Sequence, residues 1–330
     1  MSEILDARIQ GRCEAQHRDL ATEMADTQLI VASELLAVLL AGRNPDGTWG
    51  YFAGRTGRLE PTSWATLALV DSGTREPDLH LSAGMAVFLR RQQPRGLLAD
   101  VPDAIPNLAF NGLAALVVRR LRERGVSVGQ NLERVEERLL GAILATKGIK
   151  TDASSVMRQN NRLQGWPWTE STFSWVEPTS WCLLALKRGK RTSQQQGFDA
   201  QSDEADQLLI DRCCKGGGWN YGNSNVFGKD LRPYVPTTAV ALMALQDQRG
   251  AHQVTRSLEW MTENSTRELS GFALSLALLA STVFRQEAGP VDQLLGQRVK
   301  QISAFGNLAT VAMAAFALTR FEHGAAAFTI

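Results

Sequence analysis

The side chains best suited to acid–base work in this sequence are carboxylates. Asp100, Asp103, Glu170 and Asp230 lie in segments of loop character, where no helix end claims them. Buried there, any one of them would hold its proton and serve as a general acid; left in water, it would be an ordinary solvated charge. Glu60 and Glu177 differ, because each opens a verbatim Glu-Pro-Thr-Ser-Trp, at Glu60–Trp64 and Glu177–Trp181. Unpaired amides and the helix dipole favour a carboxylate at a helix start and lower its pKa. Both glutamates therefore read as structural caps rather than acids.

Aromatic side chains form the second group. Trp49, Tyr51, Trp64, Trp166, Trp168, Trp175, Trp181, Trp219, Tyr221 and Tyr234 all fall in Gly-rich turns or where apolar segments begin. Aromatic faces stabilise cations, so Trp168, Trp175, Tyr221 and Tyr234, with Trp64 and Trp181, could rim a cavity for a carbocation or an apolar chain. Trp49, Trp166 and Trp219 read instead as staples holding turns to helices. The segment 220–234 also carries Lys229, Asp230 and Arg232. Lys229 and Arg232 could hold an anionic head group, with Arg giving bidentate contact; an Asp230–Arg232 brace is the alternative.

No metal site can be assembled. Asp211 and Cys213 have an Asp-x-Cys spacing, but they sit on an outer helix, and His252 and His323 are placed too far from them to converge as zinc requires. Cys13, Cys182, Cys213 and Cys214 show no disulfide or metal-knuckle spacing, so they read as reduced thiols. No metal and no cofactor are expected.

The elements that position these residues come from an internal repeat. Three stretches, from Asp46, Gln164 and Gly216, each run Gly-rich turn, Trp, polar loop, Pro-Thr, apolar helix pattern. Weaker copies of the last part follow from Asn107, Ser270 and Gly306. Six small-residue-rich inner helices are thus predicted, starting near Pro61, Pro106, Pro178, Pro236, Ser270 and Gly306. Six amphipathic outer helices alternate with them, over Leu29–Leu40, Ser82–Gln92, Leu132–Ala145, Ala205–Cys213, Gln253–Glu263 and Val291–Ile302. Strand signals are nearly absent. Six helical hairpins closing on themselves make an all-α chain, an α/α toroid, as one domain over 27–330. Residues 1–26 read as an N-terminal helical extension, and 146–163 and 187–202 as polar surface loops.

Composition narrows the function. Lys and Arg total 35 against 34 Asp and Glu in 330 residues, for a net charge of +1, which excludes the basic surface that a nucleic-acid protein needs. A hydrophobic fraction of 44% excludes disorder. The most apolar run, 29–42, is broken by Ser33 and Glu34 and is too short to cross a bilayer. With the polar opening MSEILDARIQGR, a soluble cytoplasmic protein is expected, with peripheral membrane contact at most.

The turn-plus-helix repeat resembles that of squalene-hopene and oxidosqualene cyclases and of protein prenyltransferase β subunits. Asn44–Gly50 looks like their Gln-Trp turn with Asn for Gln, and Gln164–Trp166 and Gly217–Trp219 look like further copies. The resemblance implies a toroid with a central cavity for an isoprenoid. It lacks the Asp-x-Asp-Asp acid run of the cyclases; Asp100-Val-Pro-Asp103 departs from it in spacing and in its Pro. The Asp, Cys and His of the prenyltransferase zinc site are not matched either. The expected function is a cyclase-like or prenyl-transfer-like enzyme acting on a lipophilic small molecule. The alternatives are a non-catalytic carrier or scaffold, and a glycan-processing toroid.

Overall fold

A computed structural model describes residues 30–72, 79–189, 197–286, 289–319 and 325–330. The expected N-terminal extension and His323 lie outside them. Among the described residues there are twelve α-helices. The outer ones are α1 (30–41), α3 (Leu79–Arg90), α5 (Leu132–Ala145), α7 (Phe198–Asp211), α9 (His252–Ser265) and α11 (Gly289–Phe305). The inner ones are α2 (Leu59–Asp71), α4 (Leu108–Glu123), α6 (Val176–Gly189), α8 (Val235–Ala244), α10 (Gly271–Val283) and α12 (Leu308–Leu318). Each inner helix packs on the next, and α12 closes on α2. The fold is an α/α toroid.

Burial follows this arrangement. On α12 every residue except Thr310 is buried, because a helix surrounded on all sides must be apolar all round. Outer α5 buries Leu132, Val135, Leu139, Leu140 and Ile143 and leaves Glu133, Arg134 and Glu137 in water. Buried ion pairs pin the C-terminal ends of the inner helices, among them Arg120–Asp71 at 2.6 Å and Lys187–Asp206 at 2.7 Å.

One hydrogen-bond scheme builds the three strong turns. The backbone N–H of Trp49, Trp166 and Trp219 donates to Thr62, Thr179 and Thr238 Oγ1 at 2.9, 3.0 and 2.9 Å. Their indole N–H groups donate to the carbonyls of Leu39, Ile143 and Leu209 on the preceding outer helix, at 2.7, 2.7 and 2.6 Å. These tryptophans are staples. The motif threonines serve them rather than capping helix amides. A fourth, disguised copy has Leu98 at the Trp position and Asn111 in place of the Thr: Leu98 N–H donates to Asn111 Oδ1 at 2.7 Å, and Asn111 Nδ2 returns a bond to Leu98 O at 3.1 Å. The glycine two residues before the staple is required where φ is positive. At Gly96 (φ 106°) a Cβ would lie 2.4 Å from the Arg138 carbonyl of α5, and at Gly217 (φ 97°) 2.7 Å from Arg256 O of α9.

Two segments differ from expectation. α7 begins at Phe198 rather than Ala205, because Phe198 buries its ring and Gln201 and Ser202 are buried despite their polarity. The polar composition hid the helix. The segment 220–234 contains a two-stranded ribbon, β1 (Asn225–Val226) with β2 (Lys229–Asp230). The ribbon is laced to 146–163 by Phe227 N–H to Val156 O at 2.7 Å and Arg158 N–H to Asn225 O at 3.3 Å.

Candidate functional site

Neighbouring repeats are joined at the N-terminal ends of the inner helices. The first amide of α12 (Leu308) donates to Tyr51 O at 2.8 Å, that of α4 (Leu108) to Trp168 O at 2.9 Å, and that of α6 (Val176) to Tyr221 O at 3.0 Å. Tyr51, Trp168 and Tyr221 each lie two residues past a staple Trp. Asp100 occupies the same place after Leu98, and there the carboxylate does the work: Oδ1 accepts Leu59 N–H of α2 at 2.7 Å, and Oδ2 takes Arg58 Nε at 2.7 Å. Asp100 is therefore a cap between repeats rather than a free acid.

This end of the ring is its mouth, and the Glu-Pro-Thr-Ser-Trp copies line it. Aligned on the stapling threonines, the third copy carries Pro236 where the others have Glu60 and Glu177, and Val240 where they have Trp64 and Trp181. Trp64 and Trp181 meet edge-to-face at 5.8 Å between centroids, so α2 and α6 turn these faces toward the axis. Each glutamate sits four residues before its tryptophan, on the same face one turn nearer the mouth.

Their environment reverses the expected pKa direction. Burial, reinforced by the nearby charge of Glu60, pushes the Glu177 carboxyl up to about 7. Burial also raises Glu60, offset by the Tyr51 hydroxyl that donates to Glu60 Oε2 at 2.5 Å. Burial and that same carboxylate push the Tyr51 phenol far above its ordinary value. The Arg58 guanidinium lies 5.8 Å over the Tyr51 ring. The Glu60 carboxylate takes its hydrogen bond from Tyr51 rather than from an amide of α2. Both glutamates are largely buried, the charge of Glu60 adds to the burial that raises Glu177, and of this pair Glu177 is poised to give or take a proton near neutral pH. The verbatim repeat was the sequence signal; the inward direction was not legible in it.

Below them the axis is filled. Trp64 packs on Phe328 at 5.8 Å and Phe316 at 6.4 Å, and Trp181 on Phe328 at 5.7 Å. All four rings are buried. Phe328 belongs to the C-terminal segment, held by Arg188 Nη1 to Ala326 O at 2.7 Å and Gln246 Nε2 to Phe328 O at 2.8 Å. Among the described residues, Trp64 and Trp181 thus form part of a packed aromatic floor rather than the wall of a deep central cavity.

The remaining predicted residues do not converge on one site. Trp175 lines a cavity of about 270 Å³ outside the ring axis, between the segments 149–163 and 222–223. Tyr221 and Tyr234 pack against each other with ring centroids 5.5 Å apart and planes tilted by 42°, both half exposed. Trp168 is partly buried against the core. Lys229, Arg232 and Asp103 are exposed. Glu170 pairs with Arg95 at 3.4 Å on the surface. Asp230 accepts Asn225 Nδ2 at 2.8 Å and pairs with Lys215, not Arg232, and these contacts hold its pKa low. Among the described residues no three His, Cys, Asp or Glu side chains are grouped to hold a metal ion, and no helix is long and apolar enough to cross a membrane.

No protein-family model matches the chain, and no curated protein matches it. Solved structures do. A type II terpene cyclase from Scytonema, in complex with geranylgeranyl dihydroxybenzoate, has a TM-score of 0.57 at 12% identity, covering 91% of this chain and 99% of the cyclase. An inactive variant of an α-1,6-mannanase of Salegentibacter, in complex with α-1,6-mannotriose, has 0.62 at 10% identity over 89% and 99%. An α-amylase from Clostridium perfringens has 0.63 at 8% over 87% and 96%. At these identities the likeness is one of fold: the chain has the toroid that terpene cyclases share with glycan-acting enzymes.

Proposed function

We propose that this toroid is an enzyme that performs general acid–base chemistry at its mouth on one end of an isoprenoid or similarly lipophilic substrate. Glu177 is the proton-transfer group, and Glu60, held by Tyr51, is its charged partner. The observation that carries the reading is the Glu177 carboxyl, raised to about 7 and set one turn above the Trp64–Trp181 pair. Largely buried, repulsive carboxyls cost stability, and such perturbed groups mark functional sites. An acid of that strength suits proton transfer to oxygen or removal of a proton from a cation, and the aromatic floor would stabilise that cation. The filled axis limits the substrate to what the mouth admits.

Mass spectrometry and chromatography after incubation with geranylgeraniol, geranylgeranyl diphosphate and geranylgeranyl dihydroxybenzoate test the proposal. Turnover of one of them should fall about 100-fold or more in Glu177→Gln with the fold intact. Turnover unaffected by that change, or no turnover of any of the three, overturns it. The filled axis favours a second reading, a non-catalytic carrier or scaffold. That reading gains if one of these compounds binds without being converted.

A further inference from the structure

The repeat places exposed apolar side chains at one end of the ring. Phe52, Ile105, Phe173, Phe227 and Leu269 lie in five of the six connections that lead from an outer helix into an inner one, and Phe305 ends α11 just before the sixth. All six are exposed. Those connections sit at the mouth, and the inner helices they feed follow one another around the axis, so the six side chains ring it. The described connections at the opposite end, 124–131, 246–251 and 284–286, expose no large apolar side chain. Apolar surface gathered in this way marks an interaction site. Spread around a rim rather than along a groove, it suits a flat, extended surface better than a bound peptide helix or strand.

The ribbon carries the most exposed of the six. Phe227 and Gly228 form the two-residue turn between β1 and β2, with φ of 51° and 74°. Glycine adopts that region freely, but phenylalanine is strained there, and Phe227, 77% exposed, gains no packing in return. Strain kept without a packing gain points to function. Charge identifies the partner. The whole chain is nearly neutral, yet the laced connections 146–163 and 220–234 hold six lysines and arginines, Arg158, Lys229 and Arg232 among them, against only Asp152 and Asp230, all of them exposed. Apolar side chains that enter acyl chains beside bases that meet phosphates are the chemistry of an anionic lipid surface. We propose that the mouth face docks on an anionic lipid bilayer, with Phe227 entering the acyl region and Lys229 and Arg232 at the headgroups. This inference stands apart from the chemistry of Glu177.

Flotation of the full chain with vesicles of phosphatidylcholine alone, and of equal parts phosphatidylcholine and phosphatidylglycerol, tests the surface. The mixed vesicles should bind at least about tenfold more tightly, and added salt should weaken them. Phe227→Ser should weaken that binding about tenfold, and Lys229→Glu combined with Arg232→Glu about thirtyfold or more. Ile30→Ser, which removes an exposed apolar side chain at the start of α1, away from the mouth, should leave it unchanged. So should Glu177→Gln, which separates loss of mouth chemistry from loss of docking. No binding to the mixed vesicles, equal binding to the neutral ones, or binding indifferent to Phe227→Ser overturns the proposal. A dimer in solution that Phe227→Ser dissociates overturns it too, and assigns the face to a second copy of the chain.

Discussion

Glu177 shows how one side chain's surroundings set its chemistry. Its carboxyl ionises at 4.5 when unperturbed and at about 7 in the fold, so the native state holds the proton more tightly across that window. The stability it contributes is therefore greatest below pH 4.5, falls as pH rises toward 7, and is constant beyond. Glu177→Gln, which mimics the protonated form, should match the parent protein at pH 4 and exceed it by ~1–3 kcal/mol at pH 8. Urea denaturation at the two pH values checks this; a variant equally stable, or less stable, at pH 8 contradicts it. Asp100 behaves as a cap, so Asp100→Ala should cost ~1–2 kcal/mol by removing the acceptor for Leu59 N–H. Equilibrium unfolding measures that loss, and no effect on stability argues against the cap.

At the scale of the element, each turn divides labour between two aromatics. The staple Trp works through its indole, and the aromatic two residues on works through its carbonyl. Trp166→Phe should lose ~2–4 kcal/mol, since it vacates volume and leaves Ile143 O without its donor. Trp168→Phe keeps the carbonyl that caps α4 and should cost under ~1 kcal/mol. Thermal melts of the pair distinguish the roles; equal losses would mean the division is wrong. The staples were legible because Gly, Trp and Pro-Thr recur at repeat spacing. The fourth copy was not, because Leu98 and Asn111 make the same contacts with different side chains.

On the scale of the whole molecule, the axis of the ring is plugged by Phe328 of the C-terminal segment. Phe328 touches Trp64, Trp181 and Phe316, so Phe328→Ala should cost ~3–5 kcal/mol and open a hole on the axis. Unfolding by urea gives the energy, and saturable binding of benzene to the variant but not the parent reports the hole. A variant as stable as the parent, or one that binds no benzene, contradicts the plug.

The sequence by itself determined the toroid and nearly every helix in it. Helix identity rests on periodicity, small-residue content and turn chemistry, which are local and repeat along the chain. Even there, α7 was shortened, since burial of Phe198, Gln201 and Ser202 is conferred by neighbours and not by composition. Only the tertiary structure decided the site. Whether Glu177 is a stabilised cap or a half-protonated acid depends on desolvation and on the charge of Glu60, more than a hundred residues earlier. Whether Trp64 and Trp181 rim a cavity or fill it depends on Phe328, delivered from the far end of the chain. Electrostatics and packing act through space, and their sign at these positions was set when the ring closed.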